Sequence, residues 1–205
     1  MTFEKEFKEA LLNLPVKEKD KLFLRLLKRD IPLAKKLYFE LVSTQTAEEL
    51  REELEVVIVN RLERISSYSK SIGELQMQIR YLSGAITSHV KTTNDKLGEI
   101  SLNLLLLNNS IEKKGAIIRN LNDKKTLKFI SYLITKIFKT LILIQGTHED
   151  YRADFRSDLE KLGELIEAHE ILKNAAVQYK LDLEWLLSGE IPDDIKQRQK
   201  AGMKS

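Results

Sequence analysis

At 205 residues the chain is long enough to build one large domain around a real core. With 42% hydrophobic and 32% charged residues but only 8 Gly and 3 Pro, turns are scarce, which favours long helices over a many-stranded sheet. The absence of Cys excludes disulfides, thiolate metal sites and cysteine nucleophiles together, and the net charge of +3 is small but unevenly spread.

The opening residues predict three short helices. Thr2 is placed to cap the first, with Phe3, Phe7, Ala10, Leu11 and Leu14 on one face, and Pro15 ends it. The second covers 17–29 with Leu22, Phe23, Leu26 and Leu27 inward. Asp30 caps the third, and Pro32 falls in its first turn, where a missing N–H costs nothing. Residues 1–43 are therefore expected to form a small helical cap. No apolar run of signal-peptide type opens the chain, so a soluble, cytoplasmic protein is expected.

Residues 44–190 predict a bundle. Thr46 with Glu49 three residues on is a capping box, followed by Leu50, Leu54, Val57/Ile58, Leu62 and Ile65 at near-heptad, coiled-coil-like spacing. Ser66, Ser67, Ser69, Ser71 and Gly73 weaken the helix and predict a kink or short break. The stripe resumes as Ile72, Leu75, Ile79, Leu82, Ile86 and Val90, and 92–95, TTND, is a loop signal. Leu97, Ile100, Leu104, Leu107 and Ile111 form the next stripe, which Ile117, Ile118 and Leu121 extend unless Gly115 breaks it. The most apolar segment is 127–145, LKFISYLITKIFKTLILIQ, whose apolar residues nearly encircle a helix. Lys128, Lys136 and Lys139 argue against a membrane span, at about 2.5–3.5 kcal/mol each near a bilayer centre. Their stems can lie on apolar surface with the ammonium in water, so 127–145 is expected to be the central helix of the bundle.

The remainder is acidic and helical, from Tyr151 and Phe155 through Leu186/Leu187, with Gly189 as a C-terminal cap and Pro192 beyond it. Residues 191–205 hold few apolar groups and are expected to form a flexible tail. Residues 113–139 carry eight basic groups against one acid, and 145–190 carry eleven acids against five basic groups, so the two segments are expected to lie side by side.

The residues that could carry chemistry are few. No phosphate-cradling Gly loop or nucleophile elbow is present. His148 and His169, with Glu170, could contribute to a divalent-metal site but lack metalloprotease spacing, and a solvated helix face accounts for them. Glu49 and Glu52 have the Glu-x-x-Glu spacing with which helical pyrophosphatases hold Mg²⁺, and Glu53 lies beside them. The following helix supplies only Glu74 as an acid, where those enzymes need a second pair. Lys113, Lys114, Arg119, Lys124 and Lys125 cluster around a predicted turn and could meet phosphates, but no exposed aromatics are interleaved for stacking. Trp185, the one Trp, is expected to pin the end of a helix to the core.

Two resemblances bear on function. The phrase LPVKEKDKLFLRLLKR resembles the start of the DNA-reading region of bacterial sigma factors, but DIPLAKKLYFELV after it lacks that motif's turn and recognition helix. The wider opening, FEKEFKEALLNLPVKEKDKLFLRLLKRDIPLAKKLYFELV, resembles an uncharacterised bacterial all-helical family, some of whose members are labelled deoxyuridine triphosphate nucleotidohydrolases. That resemblance implies an all-α, Mg²⁺-dependent nucleoside triphosphate pyrophosphatase, although the forty residues carry no catalytic pattern. From the residues themselves the expectation is an all-α, non-enzymatic interaction or scaffold protein without a cofactor. It would bind a protein partner or itself, through a heptad-like face of 47–65 or 97–118.

Overall fold

In a computed structural model of the protein, residues 3–68, 71–114, 118 and 124–202 are described, and every regular element among them is helical. The protein is all-α. Three short helices, α1 (Lys5–Leu12), α2 (Val16–Arg29) and α3 (Ile31–Leu41), precede four long ones: α4 (Ala47–Tyr68), α5 (Ile72–Thr93), α6 (Lys96–Lys114) and α7 (Lys124–Gln145). Shorter elements follow: α8 (Glu149–Arg152) with a 3-10 turn at Ala153–Phe155, α9 (Arg156–Glu167), α10 (Glu170–Gln178), α11 (Glu184–Leu187) and α12 (Ile195–Gly202).

Local signals set several boundaries where the sequence placed them. Asp30 Oδ1 accepts the Leu33 N–H at 3.0 Å and starts α3. The capping box before α4 is reciprocal: the Thr46 N–H reaches Glu49 Oε2 at 2.7 Å, and the Glu49 N–H reaches Thr46 Oγ1 at 3.1 Å. The Thr93–Asp95 corner turns through a left-handed Asn94 (φ 60°), and Asp95 Oδ1 accepts the Gly98 N–H at 2.8 Å to open α6. Thr2, Gly115, Ile117 and Leu121 lie outside the described residues.

The long helices alternate in direction. Arg51 on α4 reaches Asp95 at the far end of α5, while Arg61 bonds Gln78 and lies over the Tyr81 ring, so α4 and α5 are antiparallel. The chain thus reverses between α4 and α5, where the sequence predicted a kink or short break. Contacts of Lys113 with Glu63, and of Lys136 with Asn103, make α6 parallel to α4 and α7 antiparallel to α6.

Helix α6 shares the centre of the bundle with 127–145. Helix α6 packs on α4, α5, α7 and α9 at once. Leu102, Leu104, Leu106 and Leu107 are fully buried on it. The sequence disguised this helix because Asn103, Asn108 and Ser110 interrupt its apolar run. All three are buried, and each spends a polar hydrogen on a backbone carbonyl: Asn103 on Glu99, Ser110 on Leu106 and Asn108 on Asp158 of α9. Helix α7 shares the core through Phe129, Ile130, Leu133, Ile134, Ile137, Phe138, Leu141 and Ile144, but Leu127 at its start is 42% exposed. The stripes of 47–65 and 97–118 are largely consumed the same way. Ile58, Leu62, Ile100, Leu104 and Leu107 face the chain's own core, so these are not free dimer faces.

Two later segments also differ from expectation. The acidic helix breaks at Lys180, which takes a left-handed φ of 56° while the Leu181 N–H returns to the Ala176 carbonyl and Leu181 is buried. This is a Schellman-type ending built on Lys, so no Gly announced it. Residues 195–202 are not a loose tail. They form α12, which packs on α7, buries Ile195, and brings Gly202 so close to the Tyr179 carbonyl that a Cβ would collide with it. Arg198 covers Trp185, which packs against the core at the same end. The basic and acidic segments do meet, α7 packing on α10, but the described ion pairs run elsewhere: Lys113 meets Glu63, and Lys161 meets Glu112.

Two helical glycines give opposite expectations. Around Gly98, Asp95 is held by His89 Nε2 (3.2 Å) and Arg51 (3.4 Å), and a Cβ on Gly98 would strike the Asp95 carboxylate and come within 2.7 Å of Arg51 Cδ. Gly84 has nothing within 4 Å of such a Cβ. In urea unfolding, Gly84→Ala is expected to stabilise the protein by roughly 0.5–1 kcal/mol, the ordinary helix preference for Ala. Gly98→Ala is expected to destabilise it by about 1–3 kcal/mol through overpacking.

Candidate functional site

The structure separates most of the side chains that the sequence singled out. Glu49 and Glu53 are occupied locally, Glu49 in the capping box and Glu53 by the Gln45 side-chain amide at 2.7 Å. With Glu52 they line a shallow depression whose remaining walls are Gln45 and Val56, all from α4 and the turn before it. Glu74 lies towards the opposite end, near Arg61 and Arg64. His148 caps α8 and pairs with Asp150 at 3.2 Å, whereas His169 and Glu170 stand at the start of α10. Among the described residues no group of three His, Asp or Glu is arranged to hold a metal ion. Of the basic cluster, Lys113 pairs with Glu63 at 2.7 Å, Lys124 and Lys125 are exposed at the start of α7, and Arg119 and the Lys114 side chain lie outside the described residues.

Two features stand out instead. The first is the N-terminal apolar surface. None of the residues of α1, α2 or α3 is buried, although α2 is strongly amphipathic. Twelve large apolar side chains between Phe3 and Val42 are exposed, from 41% at Leu33 to 77% at Leu41, with Phe23, Leu24 and Leu26 on α2 among them. Helix α3 leans on α5 and α2 on α3, and the twelve side chains stay exposed among the described residues. An apolar surface left this open is unusual for a chain that also builds a dry core. The sequence set Phe3 and Phe7 on one face with Leu11 and Leu14, and Phe23 and Leu26 inward with Leu22 and Leu27; the packing half-buries Leu11, Leu14, Leu22 and Leu27 and leaves the other four exposed.

The second is a cavity of about 310 Å³ between α5, α6 and α7. Its polar lining is Ser83 and Thr87 from α5, Glu99 and Asn103 from α6, and Tyr132, Thr135, Lys136, Lys139 and Thr140 from α7, with Ile86 and Leu143 as apolar walls. Lys136 does not escape to water along the helix as its spacing suggested. Its Nζ turns inward and donates to Asn103 Oδ1 at 2.5 Å. Burial, reinforced by the nearby Lys139 ammonium and only partly offset by Glu99, pushes its amine down from 10.5 to about 8. Ser83 Oγ and the Tyr132 hydroxyl meet at 3.1 Å across the same wall. A signal for this site was present in the sequence: Tyr132, Thr135/Lys136 and Lys139/Thr140 recur every three or four residues. They form a polar stripe along a helix otherwise notable for its apolar residues.

The depressed Lys136 makes stability depend on pH. The unfolded chain keeps this proton up to the ordinary lysine value, and the folded chain releases it near 8. Between those values the unfolded state binds more protons, so stability rises with pH across that window. Lys136→Met is expected to raise stability at pH 7 by roughly 1–3 kcal/mol, because a part-buried charge is replaced by an apolar side chain of similar length. Its advantage over the parent is expected to shrink from pH 8 to 10, in urea unfolding run at both ends; an equal gap at the two pH values would contradict the assignment. No family model, curated protein or solved structure matches this chain.

Proposed function

We propose that the protein is a non-enzymatic interaction module that docks a protein partner on the apolar face of its first three helices. One observation carries the reading: residues 3–42 expose twelve large apolar side chains and bury none, beside a bundle that hides its own apolar residues well. Residues 16–36 also carry eight basic side chains against three acids. A second copy would bring one basic rim against another, whereas a partner with an apolar centre and an acidic rim would match both properties. The bundle α4–α7 serves as the rigid base, and α3 on α5 is the join. No helix among the described residues is long and apolar enough to cross a membrane.

The test uses the full chain and the double variant Phe23→Ser/Leu26→Ser. Both side chains are about half exposed, so helix content and stability are expected to change little, within about 0.5 kcal/mol per site. Complexes recovered on the parent chain are expected to be lost on the variant and to weaken as salt rises. Sedimentation equilibrium is expected to show a monomer for both. A large loss of stability in the variant would mean that this face packs within its own fold, and unchanged complexes would remove it as the docking surface.

A further inference from the structure

The cavity around Lys136 has no part in the interaction reading, and its lining is chemically lopsided. All four Ser and Thr hydroxyls commit their protons to carbonyls of their own helices: Ser83 to Ile79, Thr87 to Ser83, Thr135 to Ser131 and Thr140 to Lys136. With the Ser83 proton so placed, the Tyr132 hydroxyl is the donor in their shared bond. What the lining still offers is therefore of two kinds. Hydroxyl oxygens and the Glu99 carboxylate accept hydrogen bonds; Lys136 and Lys139 donate them and carry positive charge.

Lys136 has three N–H donors, and its one described partner is the neutral amide oxygen of Asn103. No ion pair to it is found among the described residues. A part-buried ammonium in this position costs stability unless an anion comes to it. Lys139, one turn along, adds a second positive charge to the same wall and repels the first. An oxyanion seated between them would relieve both. Glu99 would repel a bare oxyanion, but it would accept a proton donor carried by the same ligand.

We propose that this cavity binds a small hydroxy- or amino-carboxylate, its carboxylate held by Lys136 and Lys139 and its hydroxyl or ammonium group by Glu99 and the hydroxyl oxygens. The volume leaves room for a side group beyond the two polar ends. Asn103, anchored through its own amide to the Glu99 carbonyl at 2.7 Å, is the positioning residue that keeps Lys136 turned inward.

Calorimetric titration of the full chain at pH 7, with glycolate, glycine and inorganic phosphate as separate probes, tests this. Glycolate or glycine is expected to bind saturably, once per chain. Loss of the charge-assisted bonds in Lys136→Met is expected to weaken binding at least about tenfold. Lys136→Gln serves as the second variant should the first fail to fold, and Glu99→Gln is expected to weaken binding less. The charged and titratable groups facing the amine are Lys139 and Tyr132 on α7 and Glu99 on α6. On α5 the lining residues are uncharged, with Arg80 behind on the Tyr132 ring, and no residue of α10 or α12 lines the cavity. Glycolate affinity is therefore expected to hold up to about pH 8 and then fall about tenfold per pH unit as Lys136 gives up its proton. The Phe23→Ser/Leu26→Ser variant is expected to bind glycolate like the parent, which separates this site from the docking face. Binding of phosphate alone, binding that survives both Lys136 substitutions, or no saturable binding of either acid overturns the proposal.

Discussion

Leu102, Leu104, Leu106 and Leu107 are buried around most of α6, with Ser101, Leu105 and Asn109 half-buried on its remaining side. A helix apolar over so much of its circumference must be wrapped by others, and here four do so. Such wrapping asks that the polar groups of α6 find partners. Asn103 and Ser110 turn their hydrogens to backbone carbonyls, and the Asn108 amide reaches the Asp158 carbonyl and ties α9 to the bundle, while its buried Oδ1 has no hydrogen-bond partner among the described residues. Where α6 begins, Asp95 gathers His89, Arg51 and the Gly98 N–H into one corner, joining α4, α5 and α6 through a single carboxylate.

Against that dry interior the first three helices behave differently. Their apolar residues have the right period for helices but too few neighbours to bury them. Helix α3 reaches α5, and the rest stays open. Burial of apolar surface is the main favourable term in both folding and association. A face of this kind gains its stabilisation from another molecule or not at all, and this asymmetry within one chain underlies the proposed interaction role.

The cavity around Lys136 departs from the interior in the opposite sense. The bundle could have closed over an apolar residue there, as it does at Leu133 and Ile137 on the same helix. Instead α7 turns a lysine inward, α6 supplies an amide to hold it, and α5 supplies hydroxyls whose protons are already engaged. A polar pocket of this composition costs stability, and such costs are typical of positions kept for binding.

The amino-acid sequence alone determined the helical class, because period, caps and the scarcity of Gly and Pro act within one or two turns of chain. The Thr46–Glu49 box, the Asp30 cap and the Asn94 corner were all visible there, since each joins neighbours along the chain. The reversal after α4, the docking of α12 by Ile195 and the sharing of the centre between α6 and α7 were decided only by tertiary structure. Each depends on residues far apart in sequence: Arg61 on Gln78, Arg198 on Trp185, Asn108 on Asp158. The same holds for what is left over. Periodicity shows that a helix has an apolar or a polar face, but whether that face is covered, open or turned into a cavity depends on which helices arrive beside it.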